Sequence, residues 1–357
     1  MKKFFALFLL CSLLLLSFIA CENNANGNNE NETIKNGNDT NGDSGDVGST
    51  EKEDNDNTQG DVDSTEKEYN NDTSSGNSNS DFEYEFSSTG KYVYITKYIG
   101  ESEDVVIPSK IEGCEVSSLK ATWIPSESFG NEAVGVFQNS NIKTIVIPET
   151  IRGIGESSFK NCTSLSSVTI QPNSELLHIL SDAFENCTSL KTINLEAAEK
   201  LTTIEPKAFS NCSSIEKITL PKNLEEIGSF AFENCASLKS ITIPANLRIK
   251  SYDAPRFHEL PSLEKIIFEE GREAINGYAY FQITSEAEII IPKSVKTFES
   301  DTFFIYAPTK FTFLGDCPEN ELTLFAGEQP ITICYDPDTN GWDTCIWKDK
   351  YTFVPIE

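Results

Sequence analysis

Apolar residues return along the middle of the chain at fixed distances from a recurring Phe. Eight residues before it stand Ile151, Leu176, Leu201 and Leu224, and five before it stand Ile154, Ile179, Ile204 and Ile227. Six after it come Leu165, Leu190, Ile215 and Leu238, followed by the alternating pairs Val168 and Ile170, Ile193 and Leu195, Ile218 and Leu220, and Ile241 and Ile243. Apolar residues two apart with polar ones between them predict short strands buried on one face. Pro221 and Pro244 directly follow two of these strands, where the missing donor ends the pairing.

The Phe opens a Phe-x-Asn-Cys tetrapeptide at 159–162, 184–187, 209–212 and 232–235, with Phe spacings of 25, 25 and 23. A period in that range predicts a solenoid whose stacked coils share one continuous core. Degraded copies flank it. Phe137 precedes Ile142, Ile145 and Ile147, and Phe257 precedes Leu260, Leu263, Ile266 and Phe268. Further on, Ile289 and Ile291 mark another strand, and Val295, Phe298 and Phe303 keep the minus eight, minus five and zero spacing. Irregular end coils are expected, because an exposed solenoid end needs a cap.

The N-terminus has a different composition. Lys2 and Lys3 precede an apolar stretch from Phe4 to Ala20, which reads as an export signal and is short of a spanning helix. It ends at Phe18-Ile19-Ala20-Cys21, which resembles a bacterial lipobox with Cys21 as the lipidated residue; ordinary cleavage near Ala20 is the alternative. Residues 22–80 hold 15 Asp or Glu against three Lys and almost no apolar side chains, so they are expected to form a disordered acidic tether. The formal charge of −28 divides into −12 for this stretch, +2 for the leader and −18 for residues 81–357. An acidic domain repels phosphate backbones, which argues against nucleic acid as a partner.

Candidate chemistry is sparse. The four repeat cysteines sit one per coil, unlike the short intervals of a zinc site, and are expected to stack inward as free thiols. Cys334 and Cys345 could close a final hairpin as a disulfide. Asn161-Cys162-Thr163 matches a glycosylation acceptor, but the Asn reads better as a turn residue. Asp336-Pro337-Asp338-Thr339-Asn340-Gly341 has oxygen ligands at alternate positions, as a calcium loop does, yet its twelfth position is Trp347, and a tight turn selects the same residues. His178 and His258 belong to no recognisable constellation, and no nucleophile-elbow, zincin or phosphate-loop motif occurs. No catalytic residue, metal ligand or cofactor is therefore assigned.

The polar positions of the predicted strands form the exposed sheet face. They carry Lys143, Lys191, Lys217, Lys239 and Lys265, with Val146, Thr169, Asn194, Thr219, Thr242 and Ile267 between the buried pairs. A stripe of Lys, Thr169, Asn194, Thr219 and Thr242 on an acidic body is a candidate partner-binding surface; a solvated face kept free of edge association is the other reading.

From Cys212 to Phe232, with Pro221, Leu224, Ile227, Gly228 and Ala231, the sequence resembles the BspA-like leucine-rich repeats, and the likeness extends over about 126–304. Val105-Val106-Ile107-Pro108 looks like that family's N-terminal cap, and Phe311 through Gly341-Trp342 like its C-terminal hairpin. The resemblance implies a mainly β, right-handed solenoid with a parallel sheet on its concave face and hairpin-like caps at both ends. It divides the chain into a lipoprotein signal (1–21), a tether (22–80), an N-terminal cap (81–125), repeats (126–304) and a C-terminal cap (305–357). It also implies a lipoprotein of the bacterial cell envelope, at the outer membrane or cell surface, that binds protein ligands such as host matrix proteins or other cells' surface proteins. An envelope scaffold, or a glycan-binding protein using Gly271, Gly277, Tyr278 and Tyr280, remains open beside it.

Overall fold

The computed structural model describes residues 77–126, 130–247, 257–275, 281–298, 303–320, 325–326 and 330–357. All of them lie in one compact unit, Asn70–Glu357. The leader, Cys21 and nearly all of the tether fall outside the described residues.

The unit is a β-solenoid. The outward strands form two parallel sheets. The first contains Asp104–Val106, Thr144–Ile147, Ser167–Ile170 and Thr192–Ile193. The second runs from Lys217–Thr219 through Ser240–Ile243, Lys265–Phe268, Ala287–Ile291, Thr309–Phe313 and Ile331–Tyr335 to Thr352–Pro355. Shorter strands on another side form a third sheet that passes through Gly153–Ile154, His178–Ile179, Thr203–Ile204 and Glu226–Ile227.

Register follows the hydrophobic pattern. Val168 pairs with Ile145 and Ile193, and Ile241 pairs with Ile218 and Ile266, so every buried position stacks on its equivalent. Phe137, Phe159, Phe184, Phe209, Phe232 and Phe257 form one column, with successive ring centroids 4.8–5.3 Å apart and planes within 8° of parallel. That rise matches the spacing of paired strands. Each ring is buried, and the column ends at the N-terminus against Tyr98 and Phe82.

The Asn and Cys of the tetrapeptide run beside this column as two hydrogen-bonded ladders. Each Asn takes a left-handed backbone with φ of 55–62°, a conformation Asn tolerates better than most residues. The amide of Asn161 donates to Asn139 Oδ1 at 2.9 Å, Asn186 to Asn161 at 2.8 Å, Asn211 to Asn186 at 2.9 Å and Asn234 to Asn211 at 2.7 Å. The expected turn role therefore holds, with a side-chain ladder in addition. Each buried thiol donates to the Phe carbonyl of the preceding coil: Cys162 to Phe137, Cys187 to Phe159, Cys212 to Phe184 and Cys235 to Phe209. All four are free, and burial pushes Cys162 and Cys235 up to about 12, which keeps them unreactive.

Two features differ from the sequence reading. Packing begins before residue 81: Asn77 accepts from the Val106 amide and donates to Tyr98, and Ser78 caps a short 3-10 turn at Asn79–Asp81. The N-terminal end does carry an antiparallel hairpin, Phe82–Phe86 with Tyr92–Tyr98. The C-terminal end does not, because Thr309–Phe313, Ile331–Tyr335 and Thr352–Pro355 pair in parallel and the coils simply continue. Phe313, Trp342 and Trp347 fill those last coils with tilted and edge-on aromatic contacts instead of a stacked column.

Candidate functional site

The expected stripe lies on the face of the two parallel sheets, but its members are not equivalent. Lys143 pairs with Glu103 at 2.5 Å, Lys239 with Glu216 at 2.8 Å and Lys265 with Glu288 at 3.2 Å. In each case the carboxylate comes from a neighbouring coil, so the lysine is tied down along the solenoid. Hydrogen bonds to Glu103 and Glu216 raise Lys143 and Lys239 above the ordinary lysine range. Lys191 and Lys217 are exposed, and neither has an ion-pair partner among the described residues.

These two lysines flank the place where the sheet is interrupted. Thr192–Ile193 ends the first sheet and Lys217–Thr219 begins the second, and no ladder joins them. The cause is Asn194. Every other coil from 144 to 268 has Val or Ile or Thr at this outward slot, residues that suit an extended strand. Asn194 adopts φ −90° and ψ 65°, which bends the chain out of the strand and into a 3-10 turn at Leu195–Ala197. Its amide grips the neighbouring coil at Ile170, where Oδ1 accepts from the backbone N–H at 2.7 Å and Nδ2 donates to the carbonyl at 2.9 Å. Asn194 thus makes the gap; its side chain is engaged internally, contrary to the expectation that it faces a partner.

A groove of about 490 Å³ opens at the gap, lined by Lys191, Asn194, Glu196, Glu216, Lys217 and Thr219 among others. The hydrogen bond and charge of Lys239 hold the Glu216 carboxyl below the usual range, with a smaller pull from Lys191. Glu216 is therefore committed to the next coil, which leaves two cations and one uncommitted carboxylate, Glu196, around the opening. Thr169 is exposed, Thr219 and Thr242 are half-buried, and so are Val146 and Ile267, which do not form an exposed apolar patch.

The remaining candidates resolve into packing. Asp336 accepts from the Asp338 amide at 3.0 Å and Thr339 N–H donates to the Asp336 carbonyl at 3.1 Å, as in a tight turn, with Gly341 at φ 84°. Cys334 and Cys345 are both free: Cys334 lies near Lys310 and Glu288, while Cys345 neighbours Cys317, whose thiol is raised by burial and by that contact. His178 is exposed in the third sheet, and His258 lies 3.5 Å from Glu233. Gly277, Tyr278 and Tyr280 lie outside the described residues. Among the described residues no helix is long and apolar enough to cross a membrane.

No curated protein matches the chain. Its solved structural neighbours include a leucine-rich repeat protein of T. pallidum, 23% identical, covering 60% of this chain and 86% of that one at a TM-score of 0.46. A leucine rich cell surface protein from Faecalibacterium prausnitzii is 18% identical, covering 80% and 95% at a TM-score of 0.41. The pneumococcal vaccine antigen PcpA is 17% identical, covering 78% and 92% at 0.31. The family model for a BspA type leucine rich repeat region matches residues 133–254 and 250–333 in six copies. That match takes in more than half of the chain and coincides with the stacked coils, and the chain belongs to the BspA-type leucine-rich repeat family.

Proposed function

We propose that this protein is a non-enzymatic binding module, anchored to the cell envelope through Cys21, that engages protein partners with the outward face of its parallel sheets. The observation that carries the reading is the groove at the sheet interruption, where Lys191 and Lys217 have, among the described residues, no carboxylate partners like those that tie down Lys143, Lys239 and Lys265. Free cations beside exposed hydroxyl groups suit acidic protein segments, by long-range attraction first and hydrogen bonding afterwards. An overall charge of −28 directs such attraction to the few places where positive charge is exposed. Family membership supports the same reading, since solenoid repeats offer extended binding surfaces. The leader ending at Cys21 and the acidic stretch behind it support display at a distance from a membrane.

The test is binding of the full-length chain to a panel of purified matrix and cell-surface proteins at increasing salt. Lys191→Glu combined with Lys217→Glu is expected to weaken the bound partner at least about tenfold and flatten its salt dependence. Lys143→Glu, which removes a cation already paired with Glu103, is expected to change much less. Equal effects of the two changes would remove the groove as the centre of the site.

A further inference from the structure

A second surface carries the opposite charge preference. Thr122–Ser126 and Gly130–Val134 form an antiparallel hairpin that joins none of the solenoid sheets. It holds Trp123 out, 58% exposed, with Ile124 beside it at 47%. The other two tryptophans, Trp342 and Trp347, are buried in the C-terminal coils.

Between this hairpin and the turns of two coils lies a groove of about 340 Å³, lined by Trp123, Glu132, Ala133, Glu156, Lys160 and Asp182 among others. Its one cation is already taken, because Lys160 sits 3.1 Å from Asp182 and 2.6 Å from Glu185. Glu156 is half-buried and has no ion-pair or hydrogen-bond partner among the described residues. Burial, then the charges of Asp182 and Glu205, push its carboxyl above the usual range. Lys160 offsets this only in part. An indole face left in water beside a carboxylate with no ion pair of its own among the described residues is a fitted environment for a guanidinium or ammonium group, which the ring attracts electrostatically and the carboxylate pairs. Arg fits better than Lys, because its plane stacks on the ring while its edge keeps its donors.

We infer that this groove is a binding site for a basic segment of a partner protein, taking an Arg side chain against Trp123 and Glu156. It is separate from the sheet face and selects the opposite charge, so the two surfaces can fail independently.

Acrylamide quenching of the full-length chain reads Trp123 directly, since Trp342 and Trp347 are shielded. A short acetylated Arg/Gly peptide is expected to protect the exposed indole saturably, a Lys/Gly peptide to do so more weakly, and a Glu/Gly peptide not at all. Glu156→Gln, a neutral substitution of the same shape, is expected to lower the Arg peptide's affinity about tenfold. Glu225→Gln, an equal charge change at an exposed position elsewhere, is expected to leave it unchanged. Absence of protection overturns the inference. So does an equal loss in both variants, which would assign the attraction to net charge alone. Protection that rises with protein concentration without peptide, together with a dimer mass, also overturns it and makes a second copy the occupant.

Discussion

The coil that carries Phe184 and Asn194 behaves differently on its two sides. At its turn, Phe184 stacks on both neighbours, the Asn186 amide joins those of Asn161 and Asn211, and the Cys187 thiol bonds to the coil before it. On its sheet side, the same coil loses its ladder to the next one. The interruption does not spread, because Ile193 and Leu195 still bury their side chains in the common core. Each corner of a solenoid is thus held by its own recurring residue, and one substitution can open the surface while the column beneath it stays intact. A groove made this way costs a few backbone hydrogen bonds and no core.

The largest test of that division removes a ring from the column. Phe184→Ala deletes a buried side chain between two stacked neighbours and should destabilise by about 3–5 kcal/mol. Urea unfolding measures it, with the midpoint expected to fall steeply. A loss below about 1 kcal/mol would mean that the turns are held by their amide and thiol ladders and that the column is incidental.

A smaller effect is expected at the gap, where Asn194→Thr restores the residue type that other coils carry. It removes two side-chain bonds to Ile170 and permits the strand to extend and pair with Lys217–Thr219. The exchange should leave stability within about 1 kcal/mol, since bonds of similar worth replace one another. Hydrogen exchange is the sharper measurement: amides on the facing edges of the two sheets should slow, and the groove ligand should lose affinity. If those amides exchange as before, Asn194 is not what parts the sheets.

Much of this division was written in the pattern of residues, though not all of it could be read. The column was legible because Phe, Leu and Ile return in register, and burial at a fixed spacing implies stacking. Asn194 was legible as an outward residue but not as a clasp, because its partners at Ile170 are backbone groups with no signature of their own. The Asn ladder was half visible: a turn residue can be named from sequence, but amide-to-amide contact depends on coils lying about 5 Å apart. At the C-terminus the alternation of Phe311 with Phe313 and of Ile331 with Ile333 marks strands without giving their direction. The seventeen residues between Phe313 and Ile331 argue for a full coil, since antiparallel neighbours usually connect through a few residues. The strands of the hairpin around Trp123 carry none of the recurring Phe, Leu and Ile positions, so periodicity had no bearing on them.

The smallest effect separates a locked part of the sheet face from the open one. Glu288 stands 3.2 Å from Lys265 and 2.9 Å from Lys310, and accepts from Thr312 at 2.7 Å. Burial would raise its carboxyl, but the bonds from Thr312, Lys310 and Lys265 outweigh that and hold it at about 2, below an ordinary value of 4.5. A depressed folded value means that the stabilisation is present above about pH 4.5 and fades as pH falls toward 2. Glu288→Gln should therefore cost about 1 kcal/mol near neutral pH, after allowance for solvent screening, and nothing near pH 2. Thermal unfolding of both proteins across that range gives the sign directly, and a gap that stays constant with pH would deny the ionic origin. The same variant also frees Lys265 and Lys310 on an unbroken sheet. If loose lysines alone made a binding site, Glu288→Gln would gain affinity for the groove's ligand; if the interruption at Asn194 is needed as well, it would gain none, because the groove of about 350 Å³ beside Glu288 and Lys310 lies on an unbroken ladder whose backbone groups are already paired.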